Sequence, residues 1–139
     1  MQAVNFEETL EKIVQRDPRY HREAYLFLRE ALDYTHKLLA KGSKKGWRHV
    51  TGQELLGGIR AFALEQYGPL TLMLLNEWGV RTCEDFGELV FNMVDAGLLG
   101  KTEKDTREDF RGGYDFSDAF SRPFLPEKKP AALPLEPQR

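Results

Sequence analysis

The feature that most constrains the fold is the segment 69–101, which holds two apolar helical patterns joined by a short link. Residues 70–78 are apolar on almost every side, which predicts a buried helix between Pro69 and Gly79. The apolar stripe of the second helix recurs at helical spacing and consists of Phe86, Leu89, Val90, Met93 and Val94. The link of residues 80–82 forces a sharp turn, which is typical of a helix-turn-helix.

The second helix carries signals for both of its ends. Thr82 is suited to be the N-cap, and Asp85 three residues later makes a carboxylate variant of the capping box. Gly97 can adopt the left-handed conformation that ends a helix. These signals predict a helix from about residue 83 to residue 96.

The exit from this unit resembles the end of the recognition helix and the wing of winged-helix proteins. The residues that carry the resemblance are Ala96, Gly97, Leu98, Leu99 and Lys101, followed by the charged stretch 103–109 around Arg107. The resemblance implies a winged-helix-like unit over about 51–116. We expect its small β-hairpin within 98–116, with Gly112-Gly113 at the turn. It does not select a ligand, because winged helices bind DNA, RNA and proteins alike.

Three further helices precede this unit. The first follows Asn5, and the second is predicted to begin at Asp17-Pro18 and to run to about residue 40. The third begins at the full capping box of Thr51–Glu54 and ends at Gly68-Pro69. Gly57-Gly58 lies inside it, and because each glycine costs about 1 kcal/mol relative to alanine, we expect a neighbouring helix to approach closely there.

Together these patterns predict a mainly α, single-domain bundle of five helices over residues 1–125. We also expect a short strand at residues 47–50. Residues 126–139 are rich in proline and lack apolar periodicity, which predicts a disordered tail. The length of 139 residues suits one domain with its own core.

Composition narrows the class of protein. The formal net charge of −2 predicts no general attraction to nucleic acid or to anionic lipid. The single cysteine, Cys83, excludes an internal disulfide and favours a reducing, cytoplasmic location. The N-terminus is not typical of a signal peptide, and no apolar run approaches the roughly 20 residues that a membrane span needs.

No catalytic or metal-binding motif is present in the sequence. His21, His36 and His49 lack the spaced partners of a metal site, so we expect neither a metal nor another cofactor. Cys83 lies at a helix start, but the adjacent Glu84 and Asp85 oppose a reactive thiolate. We therefore expect a non-enzymatic protein, with an enzyme of unknown chemistry as a third alternative.

Nucleic-acid binding is the alternative function. The composition of the second helix in the segment 69–101 argues against nucleic-acid binding. Residues 83–96 contain four acids and no base, whereas a helix in a DNA groove faces phosphates. The loop 37–49 favours it, because a basic stretch without acids surrounds an aromatic residue. The candidate polyanion-binding residues are Lys37, Lys41, Lys44, Lys45, Trp47 and Arg48.

The favoured function is protein interaction with an unknown partner. The stretch REDFRGGYDF combines aromatic residues, both charge signs and a glycine pair, a mixture that suits interfaces. The candidate interface residues are Arg107, Arg111, Tyr114 and Phe116. The aromatic residues have an alternative role, which is to cover the core of the domain.

The chain as a whole resembles a family of small conserved hypothetical bacterial proteins, restricted largely to planctomycetes and verrucomicrobia. The resemblance spans about residues 17–116, in segments such as HVTGQELLGGIRAFALEQYGP and LNEWGVRTCEDFGELVFNMV. It implies a compact intracellular protein and implies no activity, substrate or catalytic residue.

Overall fold

The computed structural model describes residues 6–41, 50–99 and 107–125 of the chain. Over these ranges the chain forms five α-helices and no β-strand. The helices are α1 (Phe6–Arg16), α2 (Arg22–Lys41), α3 (Gly52–Tyr67), α4 (Thr71–Glu77) and α5 (Cys83–Asp95). The prediction of a mainly helical protein with five main helices is confirmed.

α3 and α5 begin at the capping boxes that the sequence predicts. Thr51 Oγ1 accepts a hydrogen bond from Glu54 N at 3.1 Å, and Glu54 Oε1 accepts one from Thr51 N at 3.1 Å. At α5, Thr82 Oγ1 accepts from Asp85 N at 3.3 Å, and Asp85 Oδ2 accepts from Thr82 N at 3.2 Å. α5 ends before Gly97, whose φ of 83° is the left-handed conformation expected there.

The predicted start of α2 at Asp17-Pro18 is wrong, because the helix begins at Arg22. The Asp17 carboxylate does not cap a helix. It accepts hydrogen bonds from Nε and Nη2 of Arg19 at 2.8 Å and 2.7 Å. His21 takes the capping role instead, since its Nδ1 accepts a hydrogen bond from Glu23 N at 3.0 Å.

α2 and α3 are the most extensively packed pair of helices. At their contact, a Cβ built on Gly58 would overlap with the buried side chain of Thr35. The expected close approach of a neighbouring helix is therefore confirmed at Gly58. A Cβ on Gly57 would meet open space, so only the second glycine of the pair is required by packing.

All five helices contribute side chains to one buried cluster. Aromatic rings join α2, α3 and the end of α4, since Phe27 lies 5.7 Å from both Phe62 and Trp78 between ring centroids. The largest fully buried side chains are Tyr25, Phe86, Phe120, Leu10, Ile13, Leu28, Leu56, Ile59, Leu75, Leu89, Met93 and Val80.

Residues 107–125 form a C-terminal strap across α3, α4 and α5. The strap consists of a 3-10 turn (Arg107–Phe110), a π-helical turn (Ser117–Ser121) and a second 3-10 turn (Arg122–Phe124). Phe110 packs against Gly87 of α5, where an added Cβ would lie 3.0 Å from the ring. Gln53 Nε2 of α3 donates a hydrogen bond to Asp109 O at 2.6 Å.

The predicted β-hairpin is wrong for residues 107–116. Gly112 does make a turn with a φ of 66°, but no strand flanks it in this stretch. The physical reason is that Phe110 and Phe116 are both buried, which requires the strap to fold inward at both points. Residues 100–106 of the expected wing, residues 47–49 of the expected strand and the tail 126–139 lie outside the described residues. Val50 is described and is not in a strand.

Candidate interaction surface

The position of α4 is set by the break at Gly68-Pro69. Gly68 has a φ of 52°, and a 3-10 turn (Gly68–Leu70) leads from it directly into α4. The Thr71 hydroxyl lies 2.7 Å from Gly68 O and 3.1 Å from Ala63 O. These contacts fasten the first turn of α4 to the end of α3.

α4 is buried on one side only, which corrects the expectation of a helix buried all round. Thr71 and Leu75, one helical turn apart, are 0% and 1% exposed and point into the core. Leu70 and Met73 are each 55% exposed on the other side. The inner side packs against α3 and the π-helical turn of the strap. We call the side that carries Leu70 and Met73 the α4 face.

The chain segment that carries the α4 face is uncharged, and exposed Gln66 and Asn76 make it partly polar. Residues 66–76 contain no Asp, Glu, Lys, Arg or His. Phe124 and Leu125 at the end of the strap are also exposed, at 45% and 61%, and they follow the turn that packs against the inner side of α4. Clusters of exposed apolar side chains commonly mark interaction sites in soluble proteins. The uncharged run 66–76 is the sequence signal for this surface, but such a run occurs in exposed and in buried helices alike.

The four predicted interface residues divide into two kinds. Phe116 is 6% exposed and packs 5.5 Å from Phe86 between ring centroids, so it belongs to the core. Tyr114 is half-buried. Phe116 therefore has the alternative role given above for the aromatic residues, which is to cover the core. Arg107 and Arg111 are exposed, and both form ion pairs with nearby carboxylates.

Tyr114 ties the strap to α3 and α5. Its hydroxyl donates a hydrogen bond to Leu56 O at 2.8 Å, and its backbone N donates to Cys83 Sγ at 3.3 Å. Burial raises the pKa of both the Tyr114 hydroxyl and the Cys83 thiol. A buried thiol with a raised pKa stays protonated at neutral pH and is a poor nucleophile, which agrees with the sequence-based argument against a reactive cysteine.

A groove of about 350 Å³ lies between the start of α5 and residues 112–116 of the strap. The residues that line it include Gly112, Gly113, Arg81 and Glu84. The N-terminus of α5 beside it is already occupied by the capping box of Thr82. No group of three or more His, Cys, Asp or Glu residues suited to a metal ion occurs among the described residues.

The acidic outer side of α5 is engaged by arginines from other elements. Glu88 lies 3.1 Å from Arg19 of the α1–α2 connection and 3.4 Å from Arg107 of the strap. Arg107 also reaches Asp95 at 3.8 Å and places its guanidinium 5.1 Å from the centroid of the Phe91 ring. The acids of α5 therefore fasten neighbouring segments to the bundle.

A second set of polar contacts holds the α1–α2 connection on α5. Asn92 Nδ2 lies 2.9 Å from Asp17 Oδ2 and 3.0 Å from the Tyr25 hydroxyl. The Tyr20 hydroxyl donates to Asp85 Oδ1 at 2.5 Å. The sequence did not indicate these contacts, because the partners lie more than 60 residues apart. Asn92 is 8% exposed and serves the bundle in this position.

Most of the predicted polyanion-binding loop lies outside the described residues. Lys37 is described, and its Nζ lies 3.4 Å from Asp33 Oδ2 one turn earlier in α2. Lys41 is the last residue of α2. Lys44, Lys45, Trp47 and Arg48 fall within residues 42–49, which are not described. Binding of a polyanion by this loop therefore stays a prediction.

None of the described helices is long and apolar enough to cross a membrane. Comparisons of the chain with protein-family models, with curated proteins and with solved structures found no match.

Proposed function

We propose that this protein is a non-enzymatic protein-interaction module that binds its partner through the α4 face. The observation that carries the proposal is the exposure of Met73 on α4 and of Leu70 immediately before it, on a helix that is apolar on nearly all sides. A helix with this composition is normally buried. Its uncovered side is therefore stabilised when a partner removes it from water.

The chemistry of the α4 face suits a protein ligand. Covering a half-exposed leucine or methionine contributes roughly 1 kcal/mol for each side chain, so Leu70 and Met73 can anchor a modest interface. Methionine has a flexible thioether side chain that adapts to the shape of a partner. The uncharged surroundings favour an equally apolar partner surface over a phosphate backbone.

We propose that the helix-turn-helix within the winged-helix-like unit of residues 51–116 serves protein contact. Support comes from the short connection 78–82 between α4 and α5. Further support comes from Glu88 of α5, which pairs with Arg19 and Arg107 within the molecule. A helix with this outer side is poorly suited to enter a DNA groove, which leaves α4 as the helix that meets the partner.

Site-specific photo-crosslinking in cells that produce the protein tests the proposal. A photo-reactive amino acid is placed at position 73 and, as a matched control, at position 38. Leu38 is 48% exposed and lies on a different helix, α2. We expect protein adducts from position 73 and few from position 38.

A second substitution links the adducts to the surface. Leu70→Glu places a charge within the apolar contact and should reduce the adducts from position 73. Equal adduct yields from positions 73 and 38, or yields unchanged by Leu70→Glu, would show that the α4 face has no specific partner.

A further inference from the structure

We infer that the C-terminal strap controls the α4 face, because α4 and the π-helical turn of the strap (Ser117–Ser121) open together as one unit while α2 and α3 stay folded. This inference rests on the proposed function and specifies how its surface is regulated. When the strap is docked, α4 lies on the bundle and presents the α4 face. When the strap is released, α4 loses its inner support, and the surface that meets the partner is no longer held in one position.

The inner side of α4 depends on the strap for its packing. Among the described elements, the π-helical turn is the one that packs most extensively on α4, ahead of α3. The turn brings Ala119 and Phe120 into the core, where they are 2% and 0% exposed. α4 has only seven residues, and a helix of this length is held in place by tertiary packing rather than by its own hydrogen bonds. Release of the turn therefore removes the most extensive contact of α4, and the helix has little stability of its own to replace it.

The two ends of α4 are fastened to parts of the bundle other than the strap. At the first turn, the Thr71 hydroxyl lies 2.7 Å from Gly68 O and 3.1 Å from Ala63 O. At the other end, His21 N donates a hydrogen bond to Trp78 O at 3.0 Å. α2 and α3 pack on each other more extensively than any other described pair. Opening of the strap and α4 therefore leaves the rest of the bundle connected, which makes it a local event.

Aromatic side chains connect the strap to the bundle. The strap consists of three short turns rather than a long helix, so its hold on the bundle comes mainly from side chains. Phe116 lies 5.5 Å from Phe86 of α5 between ring centroids. Phe120, in the turn itself, lies 5.1 Å from Phe116 and 5.7 Å from Tyr114, nearly perpendicular to both rings. A change at residues 113–116 is therefore transmitted to the turn that packs on α4.

Regulation through the strap is reciprocal. If the docked strap raises the affinity of the α4 face for a partner, the bound partner stabilises the docked strap by the same factor. Release of the strap consequently lowers binding at the α4 face even though no residue of that face is changed.

Hydrogen exchange of the full chain tests whether the strap and α4 open together, with Gly113→Ala and Gly57→Ala as the matched variants. A Cβ at position 113 would stand 2.7 Å from Leu56 Cδ1 and 2.9 Å from Cys83 Sγ, whereas one at position 57 meets open space. Gly113→Ala should therefore accelerate exchange of the strap and α4 amides by one common factor, at least about fivefold. Gly57→Ala strengthens α3, which stays folded in the open state. It should leave both sets of amides unchanged and slow the most protected amides of α2.

Two results of this experiment would overturn the inference, and neither depends on a partner. If Gly113→Ala accelerates the strap amides but not those of residues 71–77, α4 does not open with the strap. If Gly57→Ala slows the amides of residues 71–77 as much as those of α2, α4 opens only when the whole chain unfolds.

A stronger pair of variants, Phe116→Asp and Ser117→Asp, tests release of the strap. Phe116 is 6% exposed, so its replacement puts a charge in the core, whereas Ser117 is exposed. In the Phe116→Asp chain, the amides of residues 71–77 should lose protection while those of α2 keep it. Loss of α2 protection as well, or protection of residues 71–77 equal to that in the Ser117→Asp chain, would contradict the inference.

Photo-crosslinking from position 73 in the same two variants separates the inference from the proposed function. We expect at least about tenfold fewer adducts from the Phe116→Asp chain than from the Ser117→Asp chain, because the released strap no longer holds the binding-competent position of α4. Equal adduct yields from the two chains would overturn this inference alone. Loss of α4 protection in the Phe116→Asp chain, together with no adducts from position 73 of the otherwise unmodified chain, would overturn the proposed function and leave the control of α4 by the strap standing.

Discussion

Gly58 of α3 lies directly against the side chain of Thr35 on α2, so that a Cβ at position 58 would overlap with the Thr35 Oγ1, Cβ and Cγ2 atoms. The Thr35 hydroxyl is buried and donates a hydrogen bond to Ala31 O at 2.7 Å. This contact sets the separation of the two most extensively packed helices. Because the threonine is fixed by its own hydrogen bond, a larger residue at position 58 must push the helices apart.

Substitution of the two adjacent glycines therefore has opposite expected effects. Gly58→Ala should lower the free energy of unfolding by about 2 kcal/mol, because overpacking forces backbone shifts. Gly57→Ala should raise the free energy of unfolding by about 0.5–1 kcal/mol, because its Cβ meets open space and alanine favours the helix. Urea unfolding of both variants measures the difference. Equal stability of the two would show that α2 and α3 are not in contact at position 58.

The features that the sequence predicts well are local. The capping boxes at Thr51 and Thr82 and the turn at Gly97 depend on residues within one helical turn of each other, so the pattern contains all the partners. The α2 start was missed because Asp17 binds Arg19 rather than a helix N-terminus. Arg19 in turn reaches Glu88, a contact that spans 69 residues and leaves no local signal.

Acid should weaken the protein through Asp17. Hydrogen bonds from Arg19, together with one from Asn92, hold the pKa of the Asp17 carboxyl well below its usual range. The folded state therefore binds the proton less readily than the unfolded state, whose pKa is about 3.9. The contribution of Asp17 is fully present above that value and is lost as the pH falls below it. Asp17→Asn should lower stability at pH 6 and flatten its decline below about pH 4.

The control for this prediction is an exposed ion pair of the strap. Asp118 lies 3.3 Å from Arg122, but its side chain is 63% exposed, against 16% for Asp17. Such surface pairs contribute little to stability. Asp118→Asn should therefore leave the pH dependence of the urea midpoint unchanged. If Asp17→Asn and Asp118→Asn behave alike, the contacts of Asp17 with Arg19 and Asn92 do not form in solution.

The Cys83 thiol should be protected and should stabilise the fold in its protonated form. Burial raises its pKa, so the unfolded chain loses the thiol proton at a lower pH than the folded chain. The contribution of Cys83 is present below the unfolded value of about 8.5 and declines as the pH rises above it. We expect slow reaction with a thiol reagent at pH 7.5 and fast reaction in urea. Fast reaction of the folded chain would restore the case for an enzymatic cysteine.

The strap shows why the C-terminal half was harder to predict. Gly112-Gly113 signals a turn, and a turn with a φ of 66° is present at Gly112. The path on either side depends on where the aromatic residues are buried, and Phe110 reaches Gly87 whereas Tyr114 reaches Leu56 and Cys83. These partners belong to other helices. The exposure of one side of α4 could not be predicted from the sequence for the same reason. A sequence pattern does not indicate which neighbouring element packs on which side of a helix.

The basic segment 37–49 makes a prediction that is separate from the α4 face. If it holds a phosphate backbone, affinity for single-stranded RNA or DNA falls with salt by roughly 0.7–0.9 log units per log unit of salt for each phosphate contacted. Lys44→Glu with Lys45→Glu should abolish that binding. Lys12→Glu, an exposed charge reversal on α1, should preserve most of it. Absence of a gel shift for the unmodified chain at low salt would remove the nucleic-acid alternative.

The two sides of α4 are distinguished by a final pair of substitutions. Leu75 is 1% exposed, so Leu75→Ala leaves a cavity in the core and should lower the free energy of unfolding by about 2–4 kcal/mol. Met73 is 55% exposed, so Met73→Ala should change the free energy of unfolding of the dilute chain by less than about 0.5 kcal/mol. The same Met73→Ala substitution should weaken the binding of a partner by the α4 face, which the yield of adducts from a photo-reactive amino acid at position 70 measures on the folded chain. A large loss of stability for Met73→Ala in dilute solution would mean that this side of α4 is covered within a single chain, and the α4 face would then be part of the core.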